Sequence, residues 1–169
     1  NLNSLGKLSI HQLEGYKGIG PAKAITILAA CELGKRRQRS KVEEVPLLNS
    51  AEAIYNYMYT TIQDLEIEEG WILMMKQNFR LIEVKRISIG GLTMAPIDIR
   101  LVMKEVLMKN TTILAFCHNH PSGNTSPSHE DDLLTTRIRK ACELLSIHFA
   151  DHVVLTDGKY YSYREEGRL

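Results

Sequence analysis

The sequence predicts an α/β protein: a mixed β-sheet flanked by helices, preceded by a small all-α hairpin. Three observations lead there. From residue 49 onward, apolar residues alternate between helical spacing and short strand-like runs, in the order helix, strand, strand, helix, strand, helix, strand, strand. The first forty residues carry helical spacing alone, around a Gly-x-Gly turn. Charge divides at the same place: residues 1–41 carry net +6 and the remainder net −5, although the 169-residue chain totals +1. The expected organisation is a helical hairpin over 1–41, a linker over 42–48 and an α/β body over 49–169.

With 44% apolar residues, the chain can bury one ordinary core and a small appendage. Cys31, Cys117 and Cys142 lie in apolar patterns without motif spacing, as small core residues do in a reducing compartment. No run approaches the ~20 apolar residues of a membrane span, and no signal peptide is visible. The expectation is a cytoplasmic chain without a membrane partner. It opens without Met, which points to an upstream segment that has been removed.

In the N-terminal part, Ser9 can cap a short helix reaching about Tyr16, and Lys17-Gly18-Ile19-Gly20 forms a tight turn. Pro21 then occupies a favoured first helical position. Ile25, Leu28, Ala29 and Leu33 mark one face of a helix ending near Arg37. This arrangement resembles a helix-hairpin-helix module, whose turn amides and helix N-terminus hold a nucleic-acid phosphate without reading sequence. Non-specific DNA contact through Lys17, Gly18, Gly20 and Lys23 is the corresponding expectation, with Lys35-Arg36-Arg37 adding attraction. A plain αα-hairpin with a solvated basic end accounts for the same residues.

The linker is polar and contains Pro46. Asn49 with Glu52 reads as a capping box for a helix burying Ile54, Tyr57, Met58, Thr61 and Ile62. A strand over 71–75 turns at Lys76-Gln77-Asn78 into a second strand reaching about Ile89, where Gly90-Gly91 breaks it. Asp98 caps a helix with Ile99, Val102, Met103, Val106 and Leu107 on one face. The apolar run 112–117 is a buried strand. Leu133, Leu134, Ile138, Ala141 and Leu145 stripe the next helix. A strand over 147–155 turns at Asp157-Gly158 into the last, over 159–164.

The chemistry concentrates where the 112–117 strand ends, in His118-Asn119-His120-Pro121-Ser122-Gly123, followed by Pro127-Ser128-x-x-Asp131. Residues two apart on a strand share a side, so His118 and His120 aim at one point. Pro121 stops the ladder. Ser128 opens a helix, and Asp131 in its first turn can swing back toward the histidines. Two imidazoles, a carboxylate and an open fourth position form the ligand set of a catalytic zinc, one Zn²⁺ per chain. The alternative is a polar strand end and a capping box built from Ser128 and Asp131. Cys117, next to His118, faces the opposite way. Asp151 and His152 interrupt an otherwise apolar strand; one of them is a candidate for orienting a ligand imidazole, and a core hydrogen bond is the alternative.

His-x-His, Ser and x-x-Asp at these offsets resemble the signature of the JAMM (MPN-type) metallohydrolases. The fuller His-Asn-His-Pro-Ser-Gly and Pro-Ser-x-x-Asp resemble the bacterial RadC family, as do Asp151-His152 and the closing Tyr160-Tyr161-Ser162-Tyr163-Arg164-Glu165-Glu166-Gly167. The resemblance implies a cytidine-deaminase-like JAMM fold and cleavage of peptide or isopeptide bonds by a metal-activated water. It also implies a glutamate base just before the first core strand. Glu68 is the matching position and Glu69 the competing register. Ser128 would donate to the developing oxyanion while capping its helix. The chain departs from the family at Gly70, where a bulky aromatic is usual, and over 92–97, which lacks the usual Asn and Ser. Arg100 matches a common family arginine. A nucleobase deaminase would need His-x-Glu and Pro-Cys-x-x-Cys, and neither occurs. Two other readings stand beside the hydrolase: a DNA-repair-associated protein whose metal domain is structural or nucleolytic, and an interaction module without turnover.

Overall fold

A computed structural model describes residues 2–39, 44–90 and 97–169. The chain divides into two compact units, 1–44 and 45–169. The expected Gly91 break and the 92–96 departure lie outside the described residues, as does the 42–43 part of the linker.

The first unit holds α1 (Leu2–Leu5), α2 (Ile10–Glu14) and α3 (Pro21–Arg39). Ser9 and Gln12 form a reciprocal capping box at α2. The turn into α3 relies on Gly18 at φ +87, a left-handed conformation that favours glycine. Lys23 Nζ donates back to the Gly18 carbonyl at 2.8 Å, so its ammonium closes the turn. The α3 face differs from the sequence expectation. Ala24 is buried with Leu13 of α2, whereas Ile25, Ala29 and Leu33 are exposed. A five-residue α2 covers only a narrow strip of a nineteen-residue partner.

The second unit contains α4 (Ala51–Ile62), β1 (Glu69–Met75), β2 (Leu81–Ile89), α5 (Ile99–Met108), β3 (Ile113–Asn119), α6 (His129–Leu144), β4 (His148–Thr156) and β5 (Lys159–Ser162). The strands form one mixed sheet, β2-β1-β3-β4-β5, in which only β3 and β4 run parallel. The β3-α6-β4 crossover therefore sets the helix carrying Asp131 over the strand carrying the two histidines. Central β3 is buried at every position, as its nearly continuous apolar sequence requires.

Helix α4 covers one sheet face, packing Ile54, Met58 and Ile62 against Leu73, Ala115 and Val153. Helices α5 and α6 cover the other, packing Val102, Val106 and Ile138 against Ile72, Leu114 and Phe116. Several local expectations shift. The α4 cap is Ser50, whose hydroxyl accepts from the Ala53 amide, rather than Asn49. Packing on the sheet buries Ala51, Ile54, Met58 and Ile62 and leaves Tyr57 and Thr61 exposed. Leu107, Leu133 and Leu145 are exposed at the margins of their helices. The end of the expected linker belongs to this body: Leu48 is buried and its amide donates to Phe79 O, while Leu81 N donates to Pro46 O.

Gly70 is a point of close approach. An added Cβ would collide with Ser88 Oγ and meet Phe116 Cζ at 3.1 Å. Gly70→Ala is expected to lower unfolding free energy in urea by about 1–3 kcal/mol. Adding Ser88→Ala should recover part of that loss, because it removes the nearer obstacle.

Candidate metal centre

His118, near the end of β3, and His120, just beyond it, lie on the α5/α6 face, and each ring is steered by its Nδ1. His118 is wholly buried, with Nδ1 2.8 Å from His152 Nε2 on β4. His120 continues the pairing one residue past the strand, its amide donating to Leu155 O at 2.8 Å. Its Nδ1 lies 2.6 Å from the Asn124 carbonyl. A tight turn lets the loop return to make that contact, with Gly123 at φ +76 and its amide on the His120 carbonyl.

A carbonyl oxygen only accepts, and this fixes the protons. Asn124 O requires His120 Nδ1 to be the N–H, leaving His120 Nε2 a lone pair. The second chain starts from the Asp131 carbonyl, which takes the Thr135 hydroxyl proton at 2.6 Å. Thr135 Oγ1 must then accept from His152 Nδ1, so His152 Nε2 accepts from His118 Nδ1. His118 Nε2 is thus a lone pair as well. His152 is wholly buried, stacks on Tyr163 at 4.7 Å and 6°, and burial together with His118 holds its pKa well below the usual histidine value. It stays neutral, as this relay requires.

Asp131 is supplied by the first turn of α6. The Ser128 hydroxyl accepts from the Asp131 amide, while the Ser128 amide and hydroxyl both donate to Asp131 Oδ2 at 2.7 Å. The capping box and the carboxylate that faces the histidines are therefore one structure. Oδ1 is left facing His118 Nε2 at 3.3 Å. Burial raises the Asp131 pKa and the Ser128 bonds lower it; a protonated His118 would lower it further, but that ring presents a lone pair to Oδ1. The Ser128 proton is committed to Asp131, so in this arrangement Ser128 braces the Asp131 carboxylate, and the expected oxyanion bond would require giving that up.

Four electron-rich atoms converge. The two Nε2 atoms lie 2.9 Å apart, and Glu68, His118, His120 and Asp131 each place a ligand atom within 4.8 Å of all the others. Facing lone pairs and carboxylates repel unless a cation lies among them. The separations of 2.9 Å between the two Nε2 atoms and 3.3 Å between His118 Nε2 and Asp131 Oδ1 lie near the ~3.3 Å between ligands of a tetrahedral Zn²⁺ at ordinary bond lengths. The donor set fits a metal of that class.

Glu68 stands on the open side, Oε1 at 3.6 Å from His118 Nε2 and 3.8 Å from His120 Nε2. Glu69, the competing register, points to the other face, where it is buried and paired with Arg86 at 2.9 Å. The remaining candidates lie elsewhere. Burial pushes the Cys117 thiol well up, so it holds its proton. Asp151 accepts from Ser162 and the Arg164 amide. Arg100 is exposed and chelates Asp98, and His129 and His148 are exposed. The sequence singled out His152 without its partner; the contact with His118 depends on the parallel register pairing Phe116 with His152.

The sequence pattern of the RadC-like JAB domain matches residues 48–168. A UPF0758 protein of Flavobacterium johnsoniae is 40% identical over 167 residues, covering 99% of this chain and 73% of that protein. One from Porphyromonas gingivalis is 34% identical over 171 residues, covering 100% and 75%. One from Methanococcoides burtonii is 35% identical over 169 residues, covering 100% and 74%.

Purified protein is expected to bind one Zn²⁺ per chain, with His118→Ala abolishing uptake in metal analysis. At a free zinc concentration a hundred times Kd, the wild type should gain about 2.7 kcal/mol of stability, reversed by chelation. His152→Leu removes the acceptor behind His118 and should weaken zinc about 10- to 100-fold in chelator competition. Unchanged affinity in a folded His152→Leu protein would exclude the relay.

Proposed function

Because this chain belongs to the RadC family of JAB-domain proteins, we propose that it is a zinc-dependent amide hydrolase, acting on peptide or isopeptide bonds. The observation that carries the reading is Glu68: a carboxylate within 4 Å of both ligand nitrogens, at the mouth of the cleft. His118, His120 and Asp131 would hold the cation, leaving a position open toward Glu68. When bound, the cation supplies Lewis acidity, bringing the pKa of water toward about 7.

The chain's own residues divide the remaining work. Glu68 accepts a proton from the attacking water as its oxygen bonds to the carbonyl carbon. It then delivers that proton to the amide nitrogen as the C–N bond breaks, yielding a carboxylic acid and an amine. Asp131, braced by Ser128, and His118, braced by His152, hold their positions throughout. The cleft is about 530 Å³ and is lined by Glu66, Ile67, Glu68, Pro121 and Pro127 with the loop serines, and by no Lys or Arg among the described residues. A divalent cation would offset two of the three carboxylate charges of Glu66, Glu68 and Asp131. The remaining negative character suits a neutral amide better than an anionic phosphodiester.

The second reading, nucleic-acid contact, belongs to the N-terminal hairpin. The exposed turn at Lys17 and Gly18 favours it, while the engagement of Lys23 with Gly18 O weakens it. Affinity for duplex DNA that falls steeply with salt would support contact at that turn.

Glu68→Gln is expected to retain zinc and lose about 10²- to 10⁴-fold in turnover of peptide or isopeptide substrates. Retained turnover would remove Glu68 as the base. Hydrolysis of phosphodiesters alone, in a panel of both bond types, would overturn the amide reading.

A further inference from the structure

We propose that Asn119, between the two histidines, is the positioning residue that sets Glu68 against the metal centre. The proposal rests on the reading of Glu68 as the proton acceptor. Along β3 the side chains of 118 and 120 turn to one face, and 119 turns to the other. There, 3% exposed, Asn119 bonds both neighbours of Glu68 in the adjacent segment. Its Oδ1 accepts from the Glu69 amide at 2.7 Å, and its Nδ2 donates to the Ile67 carbonyl at 2.9 Å. The residue between them contributes a third bond, because the Gly90 amide donates to the Glu68 carbonyl at 2.6 Å. The backbone is thereby held at three successive residues, and the Glu68 side chain is left to point at the imidazoles.

The chemistry of the contact is specific. It needs a donor and an acceptor on one short, planar, uncharged group, and the Asn amide supplies both. Asp would oppose a carboxylate oxygen to the Ile67 carbonyl, and Leu, which branches at the same carbon, would offer neither bond. Gly90 is also restricted, since an added Cβ would meet the Glu68 carbonyl oxygen at 2.8 Å. Glu68 lies just before β1, where no regular ladder fixes the chain. The Asn119 clamp substitutes for that ladder and ties the segment to the same strand end that carries both ligands.

The test uses the full chain with Zn²⁺ and two variants, Asn119→Leu and Gly90→Ala, which disturb the Glu68 segment from opposite sides. Each is expected to bind zinc within about threefold of wild type and to lose about 10- to 100-fold in kcat at unchanged KM. In a Glu68→Gln background neither should lower the residual rate further, because there is no base left to position. A purely structural role would lower the rate in both backgrounds and weaken zinc in parallel; that outcome overturns the proposal. Hydrogen exchange gives a readout without turnover. The Glu69 amide should exchange slowly in the wild type and rapidly in Asn119→Leu, and persistent protection would exclude the clamp. If the wild type cleaves no amide substrate, the hydrolase reading fails, and amide exchange still decides whether Asn119 holds this segment.

Discussion

Two imidazole lone pairs and two carboxylates directed at one small volume form an arrangement that water and protein alone do not favour. Such groups are commonly separated, neutralised or given a cation. Much of the second unit can be understood as the framework that holds them together. The rings are fixed from behind by acceptors they cannot choose between: His120 by the Asn124 carbonyl, His118 by a neutral histidine whose own proton is claimed by Thr135. The carboxylate is fixed by its helix cap. Convergence is thus enforced by hydrogen bonds to the far atoms of each ligand, which leaves the near atoms available.

The helix that provides Asp131 also closes the relay. Thr135, one turn further along α6, returns its proton to the Asp131 carbonyl and accepts from His152. The Asp131 carboxylate and the His118 imidazole are therefore braced by the same turn of helix. Tyr163, stacked on His152, donates to Asp132, which Arg168 also engages at 2.7 Å. Tyr163 and Arg168 reach the His118–His120–Asp131 cluster through this stack, with His152 between them and His118.

How much of this was legible in the sequence depended on how far apart the interacting residues lie along the chain. His118 and His120 were readable because the period of a strand puts residues two apart on one side. Asp131 was readable because a Ser with an acid three residues later is a local helix-start pattern. The choice between Glu68 and Glu69 was not, since alternation gives the two opposite faces without saying which face is which until the register of β1 on β3 is known. The bond from His152 to His118 needed the β3–β4 register, thirty-four residues apart. The α4 cap was off by one because Asn49 and Ser50 are both competent caps, and packing on the sheet selects between them. Helical spacing puts Leu133 on the core face, yet it is exposed, because a stripe as wide as that one extends past the sheet on one side.

The alternation that makes a His-x-His pair also determines what the middle residue can do. A strand end that sends two ligands to one face must send its central side chain to the other, where it meets whatever chain runs alongside. Here that neighbour is the approach to β1, antiparallel to β3, with Gly70 opposite His118. The pairing brings Glu68 level with the ligands and leaves it just outside the ladder. A side chain that can both donate and accept, placed at 119, can grip the neighbour on either side of that residue without obstructing it. The positions of the two imidazoles and of the Glu68 carboxylate are then set by one strand end, so that a movement of β3 shifts both together and their separation is preserved.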